Sequence, residues 1–435
     1  MSASIVIVGS GPSGFYAADA LSRKLPDCRI DIVDRLPTPY GLVRGGVAPD
    51  HQSTKAVQRV FERTATRPNV RFLGHVNVGS DVSYEELRAS YDAVVIAIGC
   101  PIDRRLGVPG QALRGVYGSW SFVGWYNGHP DHRDLDPGFA GRAVAIVGNG
   151  NVAIDCARVL AKTPAEMAMS DLCCHAAETI ARAPIEELYL IGRRGPVQAG
   201  FTPIELAELG RLERCVPLVD GEALERDIAA ADPEEVALKA KPLDILRSFA
   251  GNKPGDKPVR LRFLFWTAPA AILGEGRVQG LRLERTRLPD GQPGHTGDYF
   301  ELPVSTVITA IGYVSAPFAG VPIDEKRGIV RNVEGRVAPG VYVTGWSKRG
   351  PSGTIPTNRT DAMAIADLIV ADLAAGAAGK PGASALDRIL AARAVEPVGF
   401  AEWLRVNEAE MKRAADGRPR EKFTRILEML AACRE

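Results

Sequence analysis

Three glycines near the start of the chain have the spacing of a loop that holds a nucleotide phosphate. Gly9, Gly11 and Gly14 form the pattern GxGxxG, directly after the β-branched run Ser4–Val8. The first glycine permits a tight turn, the second lets backbone approach a pyrophosphate, and the third lets a helix pack on the strand. Asp34 ends the next predicted strand, 20 residues after Gly14, where an acid can accept a hydrogen bond from a ribose 2′-OH. This segment is therefore predicted to bind a dinucleotide.

The same pattern recurs in the middle of the chain with a different charge at the strand end. The segment GNGNVA (148–153) is the GxGxxA variant, and it follows the apolar run Ala143–Val147. The next strand, Leu188–Ile191, is followed by Arg193 and Arg194 instead of an acid. An acid repels a 2′-phosphate, whereas two arginines bind it by charge-assisted hydrogen bonds. At about 1.5–3 kcal/mol each, two such bonds favour NADPH over NADH by about a hundredfold or more.

The two loops together predict an enzyme rather than a single binding module. Asp34 suits FAD at the first loop, and the arginine pair suits NADPH at the second. Two dinucleotide cofactors on one chain imply that a hydride passes from one to the other.

These motifs need a parallel sheet and helices to position them. We predict an α/β fold with two Rossmann-like dinucleotide-binding domains of the glutathione-reductase-like type and a helical C-terminal segment. The runs DAVVIAIG (92–99) and STVITAIG (305–312) repeat each other, as expected where the chain leaves and re-enters a dinucleotide domain. The NADP-binding domain (105–315) is accordingly placed as an insertion in the FAD-binding domain (1–104 and 316–435). A turn or loop is predicted at 288–297.

Composition removes several classes of function. Among 435 residues, 53 basic side chains nearly balance 52 acidic ones, which predicts no general attraction to nucleic acid or membrane. The apolar runs are too short to span a bilayer, and the first strand begins too early for a signal peptide, so a cytoplasmic protein is expected. The seven cysteines include no CxxC, which argues against a dithiol redox centre or an internal iron–sulfur cluster. The segment HPDH (129–132) lacks further clustered ligands, and no metal site is expected.

Seven segments over most of the chain resemble the adrenodoxin-reductase type of ferredoxin–NADP(+) reductase. They are GSGPSGFYAA (9–18), PYGLVRGGVAPDH (39–51), SFVGWYNGHPD (121–131), VGNGNVAIDCAR (147–158), GRRGPVQAGFTPIELAEL (192–209), GWSKRGPSGTIPTN (345–358) and GRPREKF (417–423). One departure is Gly45, where many relatives are expected to carry a bulkier residue, so that packing beside the flavin could be looser.

The resemblance implies FAD and NADP(H) as cofactors and suggests which residues bind them. The expected FAD-binding residues are Gly9, Gly11, Pro12, Gly14, Asp34, Arg35, Tyr40, Gly41, Leu42, Val43, Gly99, Gly345, Trp346, Gly353, Thr354 and Ile355. The expected NADP-binding residues are Gly148, Asn149, Gly150, Asn151, Val152, Arg193, Arg194 and Glu205.

His51 and Glu208 are the expected catalytic residues, near the flavin and the nicotinamide. This assignment comes from the resemblance, because a single loop histidine or helical glutamate is more often structural. Hydride transfer requires positioning but no proton abstraction, so their expected role is to orient the nicotinamide or tune the flavin.

The resemblance also implies the reaction. NADPH would reduce FAD, which would pass single electrons to a small, acidic ferredoxin-type iron–sulfur protein, expected to be of the 2Fe-2S kind. The enzyme is expected to be a monomer that docks this partner through a basic face, with Arg211, Arg214, Lys239, Lys241 and Arg247 as candidates.

Three alternatives remain open from the sequence. A disulfide reductase would need an unconventional dithiol, because CxxC is absent. A flavin monooxygenase is suggested by Phe122, Gly124 and His129, which miss the pattern FxGxxxH by one residue. An electron-transfer subunit like the small subunit of glutamate synthase would normally carry a cysteine-rich segment before the FAD strand.

Overall fold

The computed structural model describes residues 3–255, 257–287, 294–376 and 379–434. Its contacts divide the chain into two compact units. The first unit comprises Met1–Ile102, Asn127–Arg133 and Gly312–Glu435, and the second comprises Asp103–Tyr126 and Asp134–Ile311. The sequence predicts residues 127–133 in the NADP-binding domain, whereas in the structure this short segment packs with the first unit.

Most of the strands are short and rich in apolar residues. They are β1 Ser4–Val8, β2 Arg29–Val33, β3 Val70–Leu73, β4 Ala93–Ile96, β5 Ile102–Asp103, β6 Val116–Gly118, β7 Ala143–Val147, β8 Glu187–Ile191, β9 Cys215–Leu218, β10 Val259–Leu264, β11 Thr267–Leu273, β12 Gly280–Arg287, β13 Gly294–Leu302, β14 Thr306–Thr309, β15 Tyr313–Val314, β16 Ile323–Asp324, β17 Ile329–Val330, β18 Arg336–Ala338 and β19 Val341–Val343.

The helices fill the connections and the C-terminal segment. They are α1 Pro12–Lys24, α2 Leu42–Gly45, α3 Gln52–Lys55, α4 Gln58–Ala65, α5 Tyr84–Ser90, α6 Ser119–Tyr126, α7 Asn151–Ala161, α8 Cys174–Arg182, α9 Pro203–Leu209, α10 Gly221–Ala229, α11 Pro233–Leu238, α12 Ala240–Ala250, α13 Trp346–Arg349, α14 Ile355–Ala375, α15 Ala383–Ala392, α16 Phe400–Lys412 and α17 Ile426–Arg434, with a 3₁₀ turn at Pro130–His132. None of the helices in the described part of the chain is long and apolar enough to cross a membrane.

The first unit is built on a six-stranded sheet of order β18-β19-β4-β1-β2-β3. All neighbours are parallel except β18, which runs antiparallel to β19. Strand β1 is buried on both faces, as a parallel sheet covered by helices requires. Ile5 and Ile7 pack in the same apolar cluster as helices α1 and α14, and Val6 and Val8 belong to a second cluster.

The second unit repeats this plan with a parallel sheet of order β6-β14-β7-β8-β10-β9. Val144 and Ile146 pack among helices, whereas Ala145 and Val147 pack with β12 of the antiparallel sheet β11-β12-β13. Of the turn predicted at 288–297, residues 288–293 lie outside the described residues, and 294–297 begin strand β13 instead. The paired architecture confirms the predicted α/β fold with two Rossmann-like halves.

In each unit the strand order reverses beside the strand that precedes the glycine loop. The reversal lies between β1 and β4 in the first unit and between β7 and β14 in the second. Open parallel sheets bind ligands at the carboxyl ends of strands at such a reversal. Both predicted nucleotide loops therefore stand where this fold forms its binding crevice.

Candidate active site

The first glycine loop, residues 9–14, joins β1 to α1 and leaves open space at a single glycine. A Cβ atom built on Gly9, which has φ +108°, would lie 2.5 Å from the Ala97 carbonyl oxygen, and one on Gly14 would lie 2.0 Å from the Gly9 oxygen. A Cβ on Gly11 would meet no atom of the described chain within 4 Å, apart from those of its sequence neighbours. Among the described residues no side chain caps the N-terminus of α1, and its first turn holds no acid. Free N–H groups beside an open space fit the pyrophosphate of a dinucleotide.

Asp34 lies at the end of β2, as predicted, and it also holds the glycine loop. Its carboxylate accepts hydrogen bonds from the Ser10 N–H at 2.9 Å and the Ser10 hydroxyl at 2.6 Å. A third bond comes from the Leu36 N–H at 3.0 Å. A carboxylate offers about four acceptor positions. One position therefore remains for the ribose hydroxyl that the sequence assigned to this acid.

The turn formed by residues 40–45 lies directly on this loop. The Tyr40 N–H donates to the Ser10 carbonyl oxygen at 3.0 Å. Gly41 has φ +49°, and a Cβ atom there would lie 2.9 Å from the Gly11 Cα atom. Tyr40 itself has φ +85°, which is unusual for a residue with a side chain. Leu42 and Val43 begin α2, so all four residues expected to contact the flavin are next to the phosphate loop.

Of the predicted residues from the C-terminal part of the chain, Gly345 reaches the same loop. Gly345 follows β19 with φ +69°, and a Cβ atom there would lie 2.0 Å from the Ser13 hydroxyl oxygen. The Ser347 hydroxyl donates to the Gly99 carbonyl oxygen at 3.0 Å. The Trp346 ring stacks on Tyr313, with ring centres 6.0 Å apart.

Gly353 and Thr354 are exposed, and Ile355 begins α14. Helix α14 packs along α1. The first unit thus contains the N-terminal turns of α1 and α14, and a helix N-terminus stabilises a nearby negative charge.

Arg35 has a partner that the sequence did not predict. Its guanidinium binds the Asp131 carboxylate through two hydrogen bonds, of 3.1 and 2.5 Å, at a half-exposed position. Asp131 belongs to the segment 127–133, which also contains the buried His129. The His129 Nδ1 atom accepts a hydrogen bond from the Asp131 N–H at 3.3 Å. A Cβ atom on Gly45 would lie 3.4 Å from the His129 Cδ2 atom, so no room remains there for a bulky side chain.

We expect His129 to make stability depend on pH. Burial, reinforced by the nearby charges of Arg35, His132 and Arg44 and opposed by Asp131, lowers the pKa of His129 from 6.5 to about 4. The unfolded chain then binds the extra proton, so stability is full above pH 6.5 and falls as pH drops toward 4, by on the order of 3 kcal/mol. His129→Asn keeps an acceptor for the Asp131 N–H and should flatten this part of the profile. Thermal unfolding between pH 7.5 and 4.5 measures it, and equal slopes for both proteins would contradict the expectation.

The second glycine loop reproduces the first in detail. A Cβ atom on Gly148, with φ +141°, would lie 2.2 Å from the Ala310 carbonyl oxygen, whereas one on Gly150 would meet none of the described atoms within 4 Å beyond its sequence neighbours. Helix α7 begins directly after Gly150 and, within the residues described, has no side-chain cap and no acid in its first turn. Both polar atoms of the Asn149 amide are buried and find no hydrogen-bond partner in the described chain. An unsatisfied amide in a buried position fits a site that is completed by a polar ligand.

Arg193 and Arg194 stand at the end of β8, the place that Asp34 has at the end of β2. The Gly192 backbone before them approaches the Asn149 side chain so closely that a Cβ atom would lie 1.6 Å from its nitrogen. Both arginines are exposed, and in the part of the chain that the structure describes neither guanidinium makes an ion pair or hydrogen bond. Two unpaired guanidinium groups beside a phosphate loop fit a 2′-phosphate.

Helix α9 carries Glu205 in its first turn and Glu208 one turn later. The Glu208 carboxylate lies 3.0 Å from Nε of Arg158, a fully buried arginine that also donates to Asp155 at 2.6 Å. The Asn151 side chain accepts a hydrogen bond from the Thr202 N–H at 2.8 Å. These contacts fix α9 against α7, the helix that also carries Val152. Glu208 thus has a structural contact within its own unit, which the sequence did not reveal.

His51 lies in the first unit, in the loop between α2 and α3. It is half-buried and directly precedes α3, with its N–H donating to the Ala48 carbonyl oxygen at 3.0 Å. The roles expected for His51 and Glu208 remain predictions.

Comparison with known proteins shows the family of the chain. Residues 3–188 match the family model described as pyridine nucleotide-disulphide oxidoreductase. The chain is 39% identical to NADPH-ferredoxin reductase FprA of Mycobacterium tuberculosis, over 98% of both chains. It is also 39% identical to the mitochondrial NADPH:adrenodoxin oxidoreductase of Arabidopsis thaliana, over 98% of this chain and 95% of that protein. The solved structure of Mycobacterium tuberculosis FprA in complex with NADPH superposes with a TM-score of 0.95 at 37% identity, covering both chains completely.

Proposed function

Because the chain belongs to the family of the NADPH-ferredoxin reductases and NADPH:adrenodoxin oxidoreductases, we propose that it is an FAD-dependent NADPH:ferredoxin oxidoreductase. The observation that carries the proposal is the contrast between equivalent strand ends. The first glycine loop is followed by an acid, Asp34, and the second by Arg193 and Arg194. One loop suits a free ribose and the other a ribose phosphate.

The first unit would hold FAD through its phosphate loop, the 40–45 turn and the segments after β4 and β19. FAD, when bound, accepts a hydride as two electrons and releases them one at a time, which no amino-acid side chain can do. The protein's part is to bind and orient. Gly11 would leave room for the pyrophosphate, Asp34 would accept a hydrogen bond from the ribose, and Trp346 and residues 353–355 would lie along the flavin.

The second unit would hold NADPH by its own loop and arginines. Gly150 would leave room for the pyrophosphate, Asn149 would supply an amide, and Arg193 and Arg194 would bind the 2′-phosphate. Glu205 and Glu208 would lie near the nicotinamide, with Glu208 held in place by Arg158. Because a hydride moves without a separate proton, their proposed task is orientation.

The proposed electron acceptor is a small, acidic iron–sulfur protein of the 2Fe-2S type, which accepts one electron at a time from a monomeric reductase. Of the five basic residues considered for its docking face, three are occupied. Arg214 donates to two carbonyl oxygens, Lys239 to one, and Arg247 pairs with Glu225 and Asp244. Arg211 and Lys241 remain exposed and without a partner among the described residues, so they are the better candidates.

The test is NADPH-driven reduction of cytochrome c by the purified holoprotein, with and without an added 2Fe-2S ferredoxin. We expect strong stimulation by ferredoxin, a marked preference for NADPH over NADH, and a rate that falls as salt rises. Electron transfer that is equal at low and high salt would exclude the basic face. Oxygen uptake that depends on small organic substrates, without any dependence on ferredoxin, would indicate a monooxygenase instead.

A further inference from the structure

Helix α16, near the C-terminus, directs two buried side chains at the turn that is expected to contact the flavin. They are Trp403 and Glu410, which are 1% and 0% exposed. Seven residues apart, they lie on the same face of the helix. We propose that α16 is a clamp that holds the 40–45 turn in its FAD-binding conformation, with Trp403 and Glu410 as its positioning residues. This inference rests on the proposed binding of FAD by the first unit.

Glu410 fixes the C-terminal end of the turn. Its carboxylate binds the Arg44 guanidinium by two hydrogen bonds, one of 2.8 Å from Nη1 to Oε2 and one from Nη2 to Oε1. The same carboxylate accepts the Phe423 N–H at 2.9 Å and lies 3.5 Å from the Arg420 guanidinium. Phe423 and Arg420 belong to the GRPREKF segment, whose matching residues had no predicted role. A two-pronged ion pair between buried groups allows only one relative orientation of its partners.

Trp403 fixes the N-terminal end of the turn. Its indole N–H donates to the Tyr40 hydroxyl at 3.4 Å, and the two rings meet edge to face with centres 5.8 Å apart. The Arg44 guanidinium lies over the indole ring, 5.1 Å from its centre. Trp403 therefore contacts both Tyr40 and Arg44, the two residues by which α16 holds the turn.

The turn needs external support because its backbone is strained. Tyr40 has φ +85°, a conformation that costs of order 1–3 kcal/mol for a residue with a side chain. Such a residue stays in place only where its surroundings determine its position. The backbone of Tyr40 and Gly41 contacts Ser10 and Gly11 of the phosphate loop. A shift of the turn would therefore change the space beside Gly11 that the pyrophosphate requires.

The experiment compares the FAD-loaded wild type with Glu410→Gln and Trp403→Phe. Glu410→Gln keeps the shape of the side chain but removes the negative charge that pairs with the buried Arg44 guanidinium. Trp403→Phe keeps an aromatic ring but removes the N–H. The matched control is Glu408→Gln on the exposed face of the same helix, where Glu408 pairs only with Lys412 among the described residues.

Three properties are measured: the rate of FAD release after dilution, the visible circular dichroism of the bound flavin, and NADP+ binding. We expect both variants to release FAD roughly tenfold faster and to show changed flavin dichroism, while NADP+ affinity stays at the wild-type value. The control should match the wild type in all three.

If the rate of FAD release and the flavin dichroism of both variants match those of the control, the clamp is excluded. A lower melting temperature would not change this conclusion, because α16 would then only stabilise the unit. If Glu410→Gln does not fold, Trp403→Phe alone decides by the same criteria. A wild-type protein that takes up no FAD would instead overturn the proposed function, which distinguishes the two failures.

Discussion

Gly11→Val is expected to give a folded protein that carries almost no FAD and still binds NADP+. The Gly11 Cβ position is open, with no atom of the described residues within 4 Å apart from the adjoining residues, so a Cβ atom there meets no steric obstacle in the first unit. It would instead fill the space assigned to the pyrophosphate, where only backbone can approach a ligand closely. The flavin content per chain, from visible absorbance, and the NADP+ dissociation constant measure both parts of the expectation.

The corresponding substitution in the second glycine loop tests the other nucleotide. Gly150→Val should keep FAD and lose NADP+ binding, because the open space beside Gly150 is the counterpart in the second unit. Gly255 is a matched control, since it lies on an exposed loop and a Cβ atom there also meets no atom of the described, non-adjacent residues within 4 Å. Full FAD content in Gly11→Val, or loss of FAD in Gly150→Val, would show that the two nucleotides are assigned to the wrong loops.

Replacing Arg193 and Arg194 together by alanine should lower kcat/KM for NADPH by about a hundredfold or more and leave NADH almost unaffected. The reason is that both guanidinium groups are exposed, and the described residues give them no ion-pair partner whose loss would disturb the fold. Only the 2′-phosphate distinguishes the two nucleotides. Steady-state kinetics with each nucleotide, at fixed ionic strength, measures the ratio.

The control for this pair is Arg182→Ala, which removes an exposed arginine that pairs with Glu178 on helix α8. It should leave both kinetic parameters unchanged. If the double variant loses NADPH and NADH activity in equal proportion, the arginines support the fold or the common part of the nucleotide, and the predicted specificity is wrong.

The sequence predicted the parts of the fold that depend on neighbouring residues. Both glycine loops, their flanking strands and the repeat of residues 92–99 in 305–312 follow from spacing and apolar pattern. The structure gives the repeat a physical basis, because Ala97 and Ala310 occupy corresponding places against Gly9 and Gly148. These features could be predicted because each depends on the backbone conformation of a few neighbouring residues, and that conformation requires a particular residue type.

The features that the sequence did not predict all depend on contacts between distant residues. The pairing of Arg35 with Asp131 and of Arg44 with Glu410 joins residues that are 96 and 366 positions apart. No spacing rule connects such pairs. The sequence does contain one indication of the role of Glu410, because it continues the buried stripe of Trp403 and Val406 at helical spacing. A carboxylate at such a position requires a buried partner.

The order of the strands in the first unit has a consequence for how the protein is made. Strand β4 pairs with β19, and Ile96 emerges from the ribosome long before Val341. Translation at about 5–20 residues per second separates them by roughly 10–50 s. During that interval one edge of β4 lacks its partner, while β7, β8, β10 and β14 can already assemble the second sheet. The nascent chain is therefore expected to gain its NADPH site first and its FAD site only after α16 has been synthesised.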